Sequence, residues 1–135
     1  MSAITWNASL VNNVTVIDQQ HMKLVEMIND FYSALNENRP QAALAQLLNG
    51  MVEYTQYHFL TEETYMNKYE YAFAYKHKAE HRDFVNKAAE WQAKVAAQQL
   101  LLSFEVTNFL KTWLVDHISQ SDKNLCKFLI TRGVA

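Results

Sequence analysis

The segment Phe73-Ala-Tyr-Lys-His77-Lys-Ala-Glu-His81-Arg-Asp-Phe84-Val-Asn-Lys-Ala88-Ala-Glu-Trp91-Gln-Ala-Lys-Val95 places an aromatic, aliphatic or histidine side chain at every third or fourth position. That near-strict alternation of four- and three-residue steps is the period of one helix face turned toward a core. Phe73, His77, His81, Phe84, Ala88, Trp91 and Val95 form the seam. Two of these are imidazoles, which burial penalises unless each finds a partner. A helix of this kind needs neighbours to bury its seam and something to compensate His77 and His81.

The neighbours are on either side in the chain. Downstream, Leu102, Val106, Phe109, Trp113 and His117 repeat the same spacing, followed by a short apolar tail around Leu125, Phe128 and Leu129. A break at Ala96-Ala-Gln-Gln-Leu100 separates this helix from the one before, although no Gly or Pro marks it. Upstream, Gln41 to about Met66 carries Leu44, Leu47, Met51, Tyr54, His58 and Glu62 on one stripe, and Gly50 weakens that helix by about 1 kcal/mol without breaking it. The polar run Asn67-Lys-Tyr-Glu70 ends it. A first helix spans Ile17 to Leu35, with His21, Leu24, Val25, Ile28, Tyr32 and Leu35 on one face and Asp18 as the expected N-cap. Pro40 forbids its continuation and suits the start of the next.

Four helices with short connections predict an all-α, up-down-up-down four-helix bundle over residues 17–120. An irregular N-terminal arm, 1–16, is anchored by Trp6 and Leu10, and a short C-terminal helix lies in the tail, 121–135. The 135 residues suit one domain. Only 2 Gly and 1 Pro occur, against roughly nine and seven at average usage, which leaves a turn-rich β-sandwich or barrel without its punctuation. A formal charge of −2 argues against phosphate-based nucleic-acid binding. No apolar run reaches the ~18 residues of a membrane span, and Met1-Ser-Ala-Ile-Thr-Trp6 lacks the regions of a signal peptide. These features predict a cytoplasmic chain, monomeric or weakly oligomeric. Cys126, the only cysteine, reads as a buried thiol.

All five histidines of the chain fall on the core stripes. In antiparallel neighbours, residues equidistant from a turn lie at one height. Reflection about position 39 carries His21 to 57, beside His58. Reflection about 69.5 exchanges His58 with His81 and Glu62 with His77, and reflection about 99 exchanges His81 with His117. At about 1.5 Å per residue these side chains fall within two turns of one another. His58/Glu62 and His77/His81 are i, i+4 pairs that point two donors to one side of a helix. His117 and Asp122 are five apart, about 140° around a regular helix, so Asp122 joins the layer only if the helix bulges or ends between them. Otherwise Asp122 serves as the N-cap of the tail helix. Glu63, about 100° around from Glu62, is expected outside the site and tolerant of replacement by Gln.

Five imidazoles and two carboxylates exceed one tetrahedral zinc, and no HExxH occurs. Two ions fit better. If both carboxylates and a solvent-derived oxide or hydroxide bridge them, roughly eleven of twelve octahedral positions are filled, and the vacancy falls on the ion with two histidines. The Glu-x-x-His pairs of the carboxylate-rich di-iron bundles are absent. Ser103, Ser119 and Ser121 lack a His-Asp partner set once the histidines are committed, which counts against a nucleophilic hydrolase.

Ile17-Asp-Gln-Gln-His21, His58-Phe-Leu-Thr-Glu-Glu63, His77-Lys-Ala-Glu-His81 and Trp113-Leu-Val-Asp-His117-Ile-Ser-Gln-Ser-Asp122 resemble the hemerythrins, specifically the single-domain bacterial type, along nearly the whole chain. The resemblance implies a non-haem di-iron centre with an oxo or hydroxo bridge. It puts His77, His81 and His117 on one iron, His21 and His58 on the other, with Glu62 and Asp122 bridging. It implies reversible O2 binding at the two-histidine iron, as a carrier, store or delivery protein and not an enzyme. Nitric oxide or small anions are the other expected ligands of that position. The alternatives are an O2, NO or redox sensing module acting through a protein partner, and iron oxidation or storage. Leu24, Phe59, Trp113, Leu114 and Ile118 lie within a turn of His21, His58 or His117, and the resemblance implies them as an apolar pocket wall. Ordinary core packing is the competing account of each.

Overall fold

A computed structural model of the chain describes residues 3–97 and 103–135. Helix α1 spans Thr15–Asn36, α2 Gln41–Lys68, α3 Ala74–Ala96 and α4 Ser103–Asp116; a π-helical turn, His117–Asp122, leads straight into α5, Lys123–Thr131. The expected four-helix bundle is present. Helix α1 packs on α2 and on α4, and α2 packs on α3. Aromatic contacts join α3 to α4, with Phe84 4.7 Å from Trp113 and Trp91 5.1 Å from Phe109 between ring centres. No helix among the described residues is long and apolar enough to cross a membrane.

The connections are as short as the sequence indicates. After α1, Asn38 takes a left-handed conformation and Arg39 N–H donates to Ala34 O; after α2, Glu70 does the same and Tyr71 N–H donates to Met66 O. Between α3 and α4 the expected break falls partly on residues 98–102, outside the described residues; α3 ends at Ala96 and α4 begins at Ser103. Leu102 lies in the same gap.

Two expectations fail. Asp18 does not cap α1, which begins earlier at Thr15 because Val14 and Ile17 are both fully buried. Asp18 instead accepts hydrogen bonds from the backbone N–H groups of Asn12 (2.8 Å) and Asn13 (2.9 Å), tying the arm to the first turn of the helix. Phe73 is not in the core: it precedes α3 and is 66% exposed. The seam also turns slightly from the strict stripe. Phe31, Leu48 and Leu110 are fully buried while Tyr32, Leu47 and Phe109 are half-buried beside them, because a bundle helix buries a band wider than one line of residues.

The arm is fixed by more than its anchors. Leu10 is buried and Trp6 half-buried, and Ile4 exchanges two backbone hydrogen bonds with the side-chain amide of Asn29, each 2.9 Å. The apolar core divides in two. A large cluster includes Leu24, Phe59 and Ile118; a small one comprises Val14, Ile17, Met66, Leu125, Cys126 and Leu129. On three helices in turn the chain passes from one cluster to the other across a polar residue: His21 lies between Ile17 and Leu24, Glu62 between Phe59 and Met66, Asp122 between Ile118 and Leu125. A polar layer separates the two clusters.

Candidate metal centre

That layer contains all seven residues singled out by the spacing. His21, His58, Glu62, His77, His81, His117 and Asp122 are each at most 4% exposed. Helix α1 supplies His21, α2 supplies His58 and Glu62, α3 supplies His77 and His81, and the π turn supplies His117 and Asp122. The extra residue of that turn brings positions five apart onto one face, so the helix bulges as required and Asp122 is not an N-cap; its backbone is helical and its side chain caps nothing. The turn's loosened backbone is held from outside. Asn12 Nδ2 donates to Ile118 O at 3.2 Å, Ser119 Oγ donates to Val115 O at 2.7 Å, and Lys123 Nζ reaches Val11 O at 3.2 Å.

The two carboxylates divide their oxygens between two sets of imidazoles. Glu62 Oε1 lies 3.0 Å from His81 Nε2 and 3.5 Å from His77 Nε2, whereas Oε2 lies 3.3 Å from His58 Nε2 and 3.6 Å from His21 Nε2. Asp122 Oδ1 lies 2.9 Å from His77 Nε2 and 3.1 Å from His117 Nε2, and Oδ2 lies 2.9 Å from His21 Nε2. Within the larger set, His117 Nε2 is 3.1 Å from the Nε2 atoms of both His77 and His81. The donor atoms of Glu62, His77, His81, His117 and Asp122 all lie within 4.8 Å of one another, as do those of His21, His58, Glu62 and Asp122.

His81 Nε2–Glu62 Oε1 and the contacts of His117 Nε2 with His77 and His81 have hydrogen-bond geometry, but the others are poorly aligned. His21 Nε2, His58 Nε2, Glu62 Oε2 and both Asp122 oxygens are buried without a properly directed partner. Orphaned donors and acceptors at this depth each cost on the order of 1–3 kcal/mol. Cations placed among them would satisfy the whole set at once, so the residues present fit a pair of metal ions. Electrostatics agree. Burial opposes the imidazolium form of His21 and His77, yet the close, negatively charged oxygens of Asp122 and Glu62 outweigh it and raise both to about 9. Burial likewise opposes ionisation of Glu62 and Asp122, and the surrounding histidines hold both well below the usual carboxylate range. Two buried carboxylates demand positive charge, from protons when the chain is bare and from metal when it is loaded.

Outside the layer stand residues that the sequence reading missed. His58 Nδ1 donates to Gln20 Oε1 (2.6 Å), His81 Nδ1 to Glu63 Oε2 (2.8 Å) and His117 Nδ1 to Glu80 Oε1 (2.9 Å). Each bond places the proton on Nδ1 and leaves Nε2 facing inward as a donor to metal. Glu63 is therefore part of the site's support, a correction to its expected position outside it: the rotation of about 100° that takes it off the Glu62 line aims it at the outer edge of His81. Glu80 also accepts from Ser121 Oγ at 2.6 Å, and the His117 bond leads the effects that hold its carboxyl down at about 2. A signal for two of the three was in the sequence: reflection about 39 carries Gln20 to 58, and reflection about 99 carries Glu80 to 118, beside His117.

The five pocket candidates share the large apolar cluster. Phe59 stacks on His81, ring centres 3.8 Å apart and planes within 6°, and Trp113 stacks on His117 at 4.5 Å and 15°. Leu24, Leu114 and Ile118 are buried in the same cluster, and Trp113 is half-buried. The two rings thus lean on the three-histidine set.

Sequence and fold comparisons agree with this construction. The family model for the hemerythrin HHE cation-binding domain matches residues 12–129. The chain belongs to the hemerythrin family. It is 34% identical over 122 residues to a bacteriohemerythrin of Pseudomonas aeruginosa, covering 90% of this chain and 78% of the relative. It is 35% identical over 125 residues to that of Methylococcus capsulatus, covering 91% and 94%. The hemerythrin of Phascolopsis gouldii is 29% identical over 117 residues, covering 87% and 85%. A crystal structure of a wild-type hemerythrin superposes with a TM-score of 0.83 at 33% identity, covering 89% of this chain and 92% of the other. A single-residue mutant hemerythrin gives 0.86 at 32%. Hemerythrins are non-haem iron proteins that bind O2, and the buried His/Glu/Asp cluster could hold such metal.

Proposed function

We propose that Glu62 and Asp122 bridge two iron ions, one held also by His77, His81 and His117 and the other by His21 and His58, and that the chain binds O2 reversibly as a carrier or store. The observation that carries this reading is the division of each carboxylate, one oxygen toward each histidine set. When bound, the iron pair supplies electrons and, on the ion with fewer ligands, one open position for O2.

The protein's own part is to orient and to exclude. Gln20, Glu63 and Glu80 fix three rings with Nε2 inward. Phe59, stacked on His81, and Trp113, stacked on His117, keep those rings from rotating. Leu24, Leu114 and Ile118 add apolar surface that limits access of water and protons, which favours release of the ligand unchanged. The reading is of a binding protein rather than an enzyme.

The test is metal analysis together with absorption spectra of the anaerobically reduced protein before and after O2. Two irons per chain and one O2 taken up per pair, released again on lowering O2, are expected. A folded protein that holds a single zinc and accepts no second ion would overturn the proposal.

A further inference from the structure

The outer nitrogens of the five imidazoles are not all accounted for. Three have acceptors, and His21 Nδ1 is sealed in the core without one. His77 Nδ1 is different: among the described residues it meets no hydrogen-bond partner, and it is not sealed in the core. Its Nε2 faces inward, 2.9 Å from Asp122 Oδ1, so the opposite edge of the ring is the one that lines a cleft of about 670 Å³ at the α5 end of the bundle. That volume is in the ordinary range for small-molecule sites.

The cleft has the chemistry of a binding site. Tyr71 is in its wall with Phe73 at 5.9 Å and Phe128 at 5.0 Å between ring centres, and Phe73 presents apolar surface that the core left uncovered. Lys76 and Arg132 stand at the same cleft, the Arg132 guanidinium 5.2 Å over the Phe128 ring. Two carboxylates, Glu70 and Glu80, balance these two cations, and Glu80 is turned through one oxygen to His117 and Ser121, so the free donor on His77 is what favours an acceptor here. With Nε2 on a metal, His77 Nδ1 must carry a proton and donate. A carboxylate meeting it would do for His77 what Glu63 does for His81.

We propose that this cleft binds a small aryl carboxylate, its ring among Tyr71, Phe73 and Phe128 and its carboxylate between His77 Nδ1–H and the Lys76 and Arg132 side chains. Binding itself needs only the cleft. Its effect on the metal centre rests on the function proposed above, because an anionic acceptor on a ligating imidazole makes that imidazole a stronger donor.

The probe is 4-fluorobenzoate, followed by 19F NMR with the iron-loaded protein, azide saturating the open iron position, and in parallel with the metal-free protein. Saturable binding is expected in both forms, with a shift of the diferric absorption band on saturation. Arg132→Ala should weaken it about fivefold or more, and uncharged 4-fluorobenzyl alcohol about tenfold. Ala72→Trp, an exposed substitution that fills the cleft, should abolish it without changing iron content. Absence of saturation up to about 20 mM, a weakness beyond any built site, overturns the proposal. So does binding that Ala72→Trp leaves intact, that azide displaces, or that leaves the diferric band unmoved. A chain that binds 4-fluorobenzoate but takes up no iron supports the cleft and refutes the di-iron reading.

Discussion

The three-histidine and two-histidine halves of the centre share Glu62 and Asp122 but are supported from outside in different ways. His81 and His117 lean on carboxylates, Glu63 and Glu80, that are 31% and 30% exposed. His58 leans on the neutral amide of Gln20, which is 6% exposed and in turn donates to Thr61 Oγ1, and His21 has no outer partner. Solvent access explains the division. A carboxylate behind His58 or His21 would be one more buried charge to compensate, whereas Glu63 and Glu80 keep part of their hydration. Anionic acceptors raise the donor strength of the imidazoles they hold. In the proposed centre, the two imidazoles made stronger donors by carboxylates, His81 and His117, would serve the ion with three histidines, and His21 and His58 the ion proposed to meet O2.

This contrast can be broken at several depths. Asp122→Ala removes a donor from both halves, so metal content should fall below about one ion per chain and thermal stability should fall with it, because metal binding is linked to folding; metal analysis and thermal unfolding in parallel check this. His81→Ala strikes only the three-histidine half and should cost that ion while the other is retained more weakly; a fully loaded, O2-binding variant would remove His81 from the site. Glu63→Leu should lower iron affinity about 10- to 100-fold, measured by competition with a chelator, whereas Glu63→Gln keeps a carbonyl acceptor for His81 Nδ1 and should lose much less. Equal losses for Leu and Gln would mean that charge, not the hydrogen bond, is what matters. Smallest in metal content is Leu114→Ser, expected to speed spontaneous oxidation of the O2-loaded protein several-fold with the diferric spectrum intact. If Leu114→Ser and Phe59→Ser lower stability alone, these residues are only packing.

The ligands were legible because they obey two periodicities at once, the helical step within each element and the mirror relation between neighbours across a turn. Glu63 obeys neither, and its role depends on how far α2 is rotated against α3, a property of packing that no single helix encodes. Phe73 illustrates the opposite error: it continues the α3 period one position beyond the first helical turn, where geometry no longer carries it inward. Asp18 was displaced as a cap by the burial of Val14, since an apolar residue with no exposure fixes the start of the helix more strongly than a favourable side-chain acceptor four residues on. The cleft beside His77 was not legible, because it is assembled from the 69–73 connection, α3, the π turn and α5, which approach one another only in the folded chain.

The π turn makes the C-terminal quarter of the protein sensitive to the reading frame of the helix rather than to the identity of its residues. Ser119 and Gln120 are outside the ligand set, and substitutions there keep the five-residue step from His117 to Asp122. Deleting one residue at either position would let the helix regain its regular winding with His117 and Asp122 four apart and still on one face, whereas inserting one would swing everything after it by about 100°. Asp122 would leave the layer, and Leu125, Cys126 and Leu129 would leave the small cluster that they close. An insertion that changes no ligand would thus pull Asp122 out of the layer and unseat the last helix together, so this stretch is tolerant of substitution and intolerant of added length.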